Sequence, residues 1–233
     1  RRLLKFPTLA LALFLSLGVC GAEPASRAVV LKATRNTRDM GGLQVKGGIL
    51  RPGLLYRSGA LCFITPGDVE TVNGLHLHTL VELRVAKEIA KDGADRSALS
   101  APKRVLIPMH NSHGLGQEAY HAYIRENSEE IRAFFELLAQ ESSYPLLFHC
   151  SAGKDRTGIL AYLLLWSLGA EREVRDDDYL QSQRNAPGLV VKPEWINEVY
   201  VYVEECGGIE AYLKKIGVTA ETVDAIRAKL VKT

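Results

Sequence analysis

Long apolar runs, repeats and a strong net charge are all missing from this 233-residue chain. Its most apolar N-terminal run, Leu9 to Val19, falls short of the roughly 20 residues that a membrane-spanning helix needs. Internal repeats, low-complexity tracts and heptad patterns are also absent, which excludes solenoids and coiled coils. Charge is nearly balanced, with 29 Lys+Arg against 27 Asp+Glu and a formal net charge of +2. Arg1, Arg2 and Lys5 fall in a 22-residue segment without acids, so the remainder is slightly acidic and nucleic acid is not an expected partner. Cysteine is scarce: beyond Cys20 there are Cys62, Cys150 and Cys206, an odd number. A Cys62–Cys206 bridge and two separate buried thiols both remain open. His110 and His113 have poor spacing for a metal pair, and no metal or cofactor is expected.

Against that background one stretch stands out: His149-Cys150-Ser151-Ala152-Gly153-Lys154-Asp155-Arg156-Thr157-Gly158. Tyr144 to Phe148 reads as a short buried strand and Thr157 to Leu168 as a helix, so the loop between them sits at a helix N-terminus. Unpaired N–H groups and the positive end of the helix dipole favour an anion there. Cys150 lies in that field and is expected to lose its proton readily, becoming a nucleophile. Arg156 offers a planar fork for two oxygens of a phosphate. Gly153 lets the backbone approach closely, and Thr157 can donate a hydroxyl to the sulfur when it leaves. Ser151, Ala152, Gly153 and Lys154 are the expected anion-binding positions.

These residues resemble the signature of the cysteine-dependent protein tyrosine phosphatase superfamily, in the form used by a bacterial tyrosine phosphatase-like family. Asn36-Thr37-Arg38-Asp39-Met40-Gly41-Gly42 is similar to that family's "NFRDLGG", and Leu50 to Gly59 to its "pGxLYRSG". Leu80 to Arg84 stands at its "DLR" strand end, with Glu82 in place of the aspartate. Asp178-Tyr179-Leu180 and Ile209 to Leu213 resemble its later "DYL" and "xExYL" elements, so the likeness runs from about residue 30 to 231 in the family's order. It implies an α/β phosphatase-type central sheet flanked by helices, with a helical C-terminal part. It also implies a phosphomonoester hydrolase using a phosphocysteine intermediate, of protein tyrosine or dual specificity. A phosphotyrosine protein or a phosphoinositide is the implied substrate; a phosphate-binding module without turnover is the alternative.

Assignment of the proton donor is less direct. The stretch Val105 to Gly114, where many relatives carry an acidic loop, has no carboxylate. Asp155 is therefore the expected general acid, with loop orientation as its other reading and His110, His113 and Glu118 as fallbacks. Lys154 reads either as an added phosphate-site cation or as a solvated rim residue. Arg57 reads as a rim contact to substrate or as a structural ion pair with Asp39 or Glu82. Arg38 and Asp39 are expected to fix backbone geometry.

The N-terminal pattern of Arg1-Arg2-Leu3-Leu4-Lys5, an apolar run and small residues at Gly21 and Ala22 reads as an export signal over 1–22. A linker over 23–30 and a catalytic domain over 31–233 follow, with a periplasmic or secreted location expected. Retention of the first segment, or lipidation at Cys20, would be the routes to a membrane. Strands are expected at Gly48–Tyr56, Leu77–Leu83, Arg104–Pro108 and Pro145–Cys150, a helix start at Thr65, and one amphipathic helix over Tyr120–Gln140. Arg172 to Thr233 reads as helices.

Overall fold

The computed structural model describes residues 26–233; the expected export signal over 1–22 and the lipidation position Cys20 lie outside them. In chain order the strands are β1 (Arg38–Asp39), β2 (Gln44–Val45), β3 (Gly48–Leu50), β4 (Leu55–Ser58), β5 (Thr79–Glu82), β6 (Lys103–Leu106), β7 (Leu146–His149) and β8 (Val231–Lys232). The helices are α1 (Pro66–Asn73), α2 (Ala86–Asp92), α3 (Gln117–Glu126), α4 (Ser128–Leu138), α5 (Arg156–Ser167), α6 (Arg172–Asn185), α7 (Pro193–Glu205), α8 (Ile209–Lys215) and α9 (Ala220–Leu230).

Five strands form the central sheet in the order β1-β4-β7-β5-β6. The last four are mutually parallel, and β1 adds an antiparallel edge. A parallel strand covered on both faces must be apolar on both, which the Leu146-Leu147-Phe148 run satisfies. Leu146 and Phe148 enter the larger core with Ile159 and Leu163 of α5, while Leu147 enters a smaller one with Tyr56, Leu80 and Val72. α5 is apolar almost all round and buried through most of its length, as a central helix requires. Among the described residues no helix is long and apolar enough to cross a membrane.

Local chemistry sets several boundaries. Thr65 caps α1 reciprocally with Asp68: Asp68 N donates to Thr65 Oγ1 at 3.2 Å, and Thr65 N donates to Asp68 Oδ2 at 3.0 Å. The expected strand over Gly48–Tyr56 is instead split. The turn at Arg51–Leu54 sends β3 into a small sheet with β2 and β8, and β4 into the main one. Val231–Lys232, expected as helix, closes that small sheet by pairing with Ile49–Leu50. The long helix expected over Tyr120–Gln140 is also broken. Asn127 is buried between α3 and α4, where its side chain accepts from His110 N at 2.8 Å and donates to His110 O and Tyr123 O at 2.7 and 3.0 Å. A side chain that replaces helix hydrogen bonds in this way interrupts a ladder without proline or glycine. Finally, Arg27–Val30, expected within the linker, dock on the domain. Ala28 bridges to Arg38, and Val29 N donates to Thr37 O at 3.0 Å.

Candidate active site

Parallel pairing aligns the carboxyl ends of three strands, since Ser58 and Glu82 both stand in register with His149. The segments that follow them therefore converge at one edge of the sheet, the usual place for a site in an open parallel fold. Cys150 to Asp155 forms a loop there, and α5 begins at Arg156.

The loop is held by its carbonyls. Ser151 O accepts from Ala60 N at 3.0 Å, and Ala152 O from Asn36 Nδ2 at 3.3 Å. Gly153 O accepts from both Asn36 Nδ2 and Arg57 Nη2 at 2.9 Å. Gly153 has φ +66°, and a Cβ there would meet Ser58 O at 2.4 Å, so the close approach expected of this glycine is a steric requirement. With the carbonyls turned to the scaffold, the backbone N–H groups of Ser151 to Asp155 donate to no acceptor among the described residues. Successive free amides at a helix N-terminus make an anion-binding concavity.

Cys150 is buried at the base of this loop. Burial pushes its thiol pKa up, but the Arg156 charge and the hydroxyl and amide of Thr157 together outweigh that and hold it below the ordinary value. Arg156 is buried, and its two terminal nitrogens reach Glu88 Oε2 at 2.5 Å and Glu88 Oε1 at 2.7 Å. Ser151 Oγ completes this front cluster, donating to Glu88 Oε1 at 2.8 Å and accepting from Arg156 Nη2 at 3.2 Å. Arg156 Nε is buried without a hydrogen-bond partner, and Thr157 Oγ1 has none besides the Cys150 thiol. Glu88 was not singled out by the sequence. Its signal was its place in the first turn of the helix after the Glu82–Arg84 strand end. Burial opposes its ionisation, yet the bonds from Arg156 lower its pKa to about 2.

Behind the loop lies a second cluster. Asp178 of α6 is fully buried among Arg57 at 2.6 Å, Arg27 at 3.0 Å and Arg38 at 3.3 Å. Arg38 Nη2 also donates to Asp178 O at 2.7 Å, and Arg38 Nη1 to Asn36 Oδ1. Burial would raise the Asp178 carboxyl pKa, but the three guanidiniums hold it far below the usual range. Arg57 thus corrects two expectations. It is fully buried rather than on the rim, and its partner is Asp178, not Asp39 or Glu82. The sequence separation of 121 residues hid that pairing. Asp39 serves geometry as read, accepting from Gly41 N and Gly53 N, both at 2.7 Å.

The remaining candidates divide. Asp155 is partly exposed; Tyr120 donates to its Oδ1 at 2.6 Å, and the Lys154 ammonium lies at 3.2 Å. Tyr120 in turn shares a 2.8 Å hydrogen bond with Tyr179. Lys154 is not the solvated rim residue of one reading: it is buried, donates to Val190 O at 2.8 Å and stands 4.7 Å from the Trp195 ring centre. Of the fallback acids, His113 is exposed and bonded to Ser112, whose hydroxyl donates to Glu126 at 2.6 Å, and Glu118 lines an open surface groove with His113 and His121.

One further buried network stands beneath the loop. His149 Nε2 lies 2.7 Å from Asp95 Oδ2, and its Nδ1 3.2 Å from Cys150 O. Burial lowers the His149 pKa, but Asp95 and Glu82 outweigh it and leave it raised. Glu82, Asp95 and His149 are close enough to share a metal ion. The Arg84 guanidinium, however, already stands among them, at 2.6 Å from Glu82 and 3.5 Å from Asp95. Arg84 Nη1 is also 3.4 Å from Cys62 Sγ. Cys62 and Cys206 are both free thiols, so the bridge left open by the sequence is not formed.

Comparison with known proteins finds relatives of this chain. The chain is 35% identical over 170 residues to a Cupriavidus necator protein whose name includes tyrosine-protein phosphatase, covering 65% of this chain and 62% of that one. It is 31% identical over 180 residues to the triple specificity protein phosphatase PtpB of Mycobacterium tuberculosis, covering 60% of this chain and 64% of that one. It therefore spans less than two thirds of the length of these two relatives. A solved structure of the core catalytic domain of the PP-IP phosphatase SIW14 from S. cerevisiae, in complex with citrate, aligns at 16% identity and a TM-score of 0.45. That alignment covers 76% of this chain and 96% of that one. The sequence profile described as the tyrosine phosphatase family matches residues 29–232, almost the whole described chain; the protein belongs to the tyrosine phosphatase family.

Proposed function

We propose that this protein hydrolyses phosphomonoesters through a phosphocysteine, with phosphotyrosine in a protein as the substrate. The observation that carries the reading is the set of unused donors around one acidified thiol. The amides of Ser151 to Asp155 and Arg156 Nε have no acceptor among the described residues, and they belong to the loop and helix start that directly follow Cys150. Such an array fits the three non-bridging oxygens of a phosphoryl group.

Cys150 Sγ attacks phosphorus as the thiolate, and the phosphorus–oxygen ester bond breaks. The departing phenolic oxygen takes a proton from Asp155. Water then attacks the phosphocysteine, gives its proton back to Asp155, and the sulfur leaves as thiolate, steadied by Thr157. Two carboxylates flank the loop, and their environments separate their roles. Glu88 is pinned to Arg156 with a pKa of about 2 and stays ionised. Asp155 is the one left to carry a proton. Tyr120 and Lys154 hold its carboxyl in place beside the loop.

Lys154 bears on the substrate. Its ammonium is engaged by Val190 O, Asp155 and Trp195, which supports a protein substrate over a headgroup carrying several phosphates. Phosphate release from a phosphotyrosine peptide and from a phosphoinositide, each with the Cys150→Ser protein as control, tests the reading. Release from the peptide that vanishes in Cys150→Ser is the expected result; unchanged release in the variant would sink the mechanism. The charge and apolar pattern of residues 1–22 supports an exported enzyme, which cell fractionation of the full chain would test.

A further inference from the structure

Beside the catalytic loop the surface opens into a cavity of about 310 Å³ that the reaction scheme leaves unused. One wall is the loop itself, at Ser151 and Ala152. The others are Ala33, Ala60, Phe63 and Leu189, with Arg35 as the single charged residue of the lining. Hydrogen bonds fix this cavity to the active site: Gly59 N donates to Arg35 O at 3.1 Å, Ala60 N to Ser151 O at 3.0 Å, and Thr34 Oγ1 to Ala60 O at 2.6 Å. A ligand held there is therefore in fixed register with the phosphate-binding amides.

Two features of the lining need a partner. Phe63 leaves 55% of its surface exposed, although a phenylalanine ring favours burial. Arg35 is also exposed, and its guanidinium lies over Gly188, where an added Cβ would stand 3.4 Å from Nη1. Unlike Arg27, Arg38 and Arg57, it makes no ion pair and no side-chain hydrogen bond among the described residues.

We propose that Arg35, Phe63 and Leu189 form a specificity subsite for an acidic side chain flanking the phosphotyrosine of a protein substrate. The inference rests on the phosphatase reading above. One cation among apolar walls matches one carboxylate on a short apolar stem: the stem covers Phe63 and Leu189, and the carboxylate meets the guanidinium fork. A headgroup with several phosphates would set most of its charge against apolar surface, which is unfavourable.

The test compares two phosphotyrosine peptides, identical except for Glu or Gln at both flanking positions, with a small aryl phosphate that has no flanks. The wild-type protein should favour the Glu peptide in kcat/KM by about threefold to fivefold, the worth of one exposed ion pair. Arg35→Gln should erase that preference, and Phe63→Ala should slow both peptides, while the aryl phosphate keeps its rate in both variants. Equal wild-type rates on the two peptides overturn the subsite. So does a loss on the aryl phosphate as large as that on the Glu peptide, which would make Arg35 a support of the loop. A loss in Arg35→Gln confined to phosphoinositide vesicles overturns the peptide assignment. Absence of any aryl phosphate turnover by the wild type strikes the phosphatase reading instead. The subsite is then decided by the affinities of the two peptides for the Cys150→Ser protein, where a Glu preference lost with Arg35→Gln sustains it and equal affinities refute it.

Discussion

Two ion-pair clusters grip the same loop from opposite sides, and they are built for different tasks. Behind it, Asp178 is enclosed by Arg27, Arg38 and Arg57, and both Arg38 and Arg57 are fully buried. In front, Arg156 shares Glu88 with Ser151, the Glu88 side chain keeps 29% of its surface, and Arg156 Nε has no partner. The rear cluster is closed to solvent, so its charges fix geometry; Arg57 Nε has no partner, but it is buried out of a ligand's reach. The front cluster is open, so an arriving anion can meet donors already in place. Buried ion pairs of the first kind matter mainly through what happens when one partner is lost. In the second kind Glu88 holds both terminal nitrogens of the Arg156 fork in place and leaves Nε as the free donor.

Breaking the front should cost chemistry with little loss of fold. Arg156→Ala is expected to lower kcat/KM toward an aryl phosphate by about 10³-fold or more, because it removes the charge that holds the transferring phosphoryl group. Steady-state rates beside an unfolding curve that stays near wild type would check this. Breaking the rear should do the reverse. Asp178→Ala leaves Arg38 and Arg57 buried without their counter-charge, with an expected loss of about 3–5 kcal/mol in unfolding free energy. Denaturant melts measure that loss, and one below 1 kcal/mol would mean that the rear cluster is not the scaffold described. Its pH dependence has a definite sign. The Asp178 pKa is depressed in the folded protein, so its contribution is complete above about pH 4 and is lost as pH falls toward the folded value. Wild type and Asp178→Asn should therefore converge in stability as the solution is acidified.

Two smaller tests sharpen the contrast. Asp155→Asn should slow substrates with poor leaving groups by about 10²-fold and good ones far less, as expected for a lost proton donor. A uniform change across leaving groups would assign Asp155 to loop orientation. Glu88→Gln keeps the shape of the front cluster and removes its negative charge. A fall of about threefold to tenfold in kcat without a rise in KM is expected, because a positioning bond weakens while competition with the substrate anion is relieved. A rise in KM alone would place Glu88 in ground-state binding.

What the sequence disclosed divides along these same lines. The loop and its strand and helix were legible because a local run of residues carries them: a buried strand, a glycine, and a helix start within ten positions. The capped start of α1 was legible for the same reason. The rear cluster was not, since an ion pair was open for Arg57 but its partner Asp178 lies 121 residues away and meets it only in the fold. The burial of Lys154 against Trp195 was not legible, because the two lie far apart in sequence. The single helix read over Tyr120–Gln140 failed at Asn127, whose side chain bonds to His110 across a chain segment no periodicity describes. Glu88 escaped notice because a glutamate in a first helical turn usually serves the helix alone.

The three arginines on Asp178 also bear on the order in which the protein assembles. They lie 151, 140 and 121 residues before it in the chain. Contacts of that span form late, after most loop-closure entropy has been met. The segment carrying Cys150 therefore leaves the ribosome well before the aspartate that will brace its loop. Until α6 docks, Arg57 lacks the carboxylate that holds it, and Arg57 is the side chain that bonds Gly153 O of the loop. The loop's rear scaffold thus draws on both ends of the described chain and is complete only when they meet.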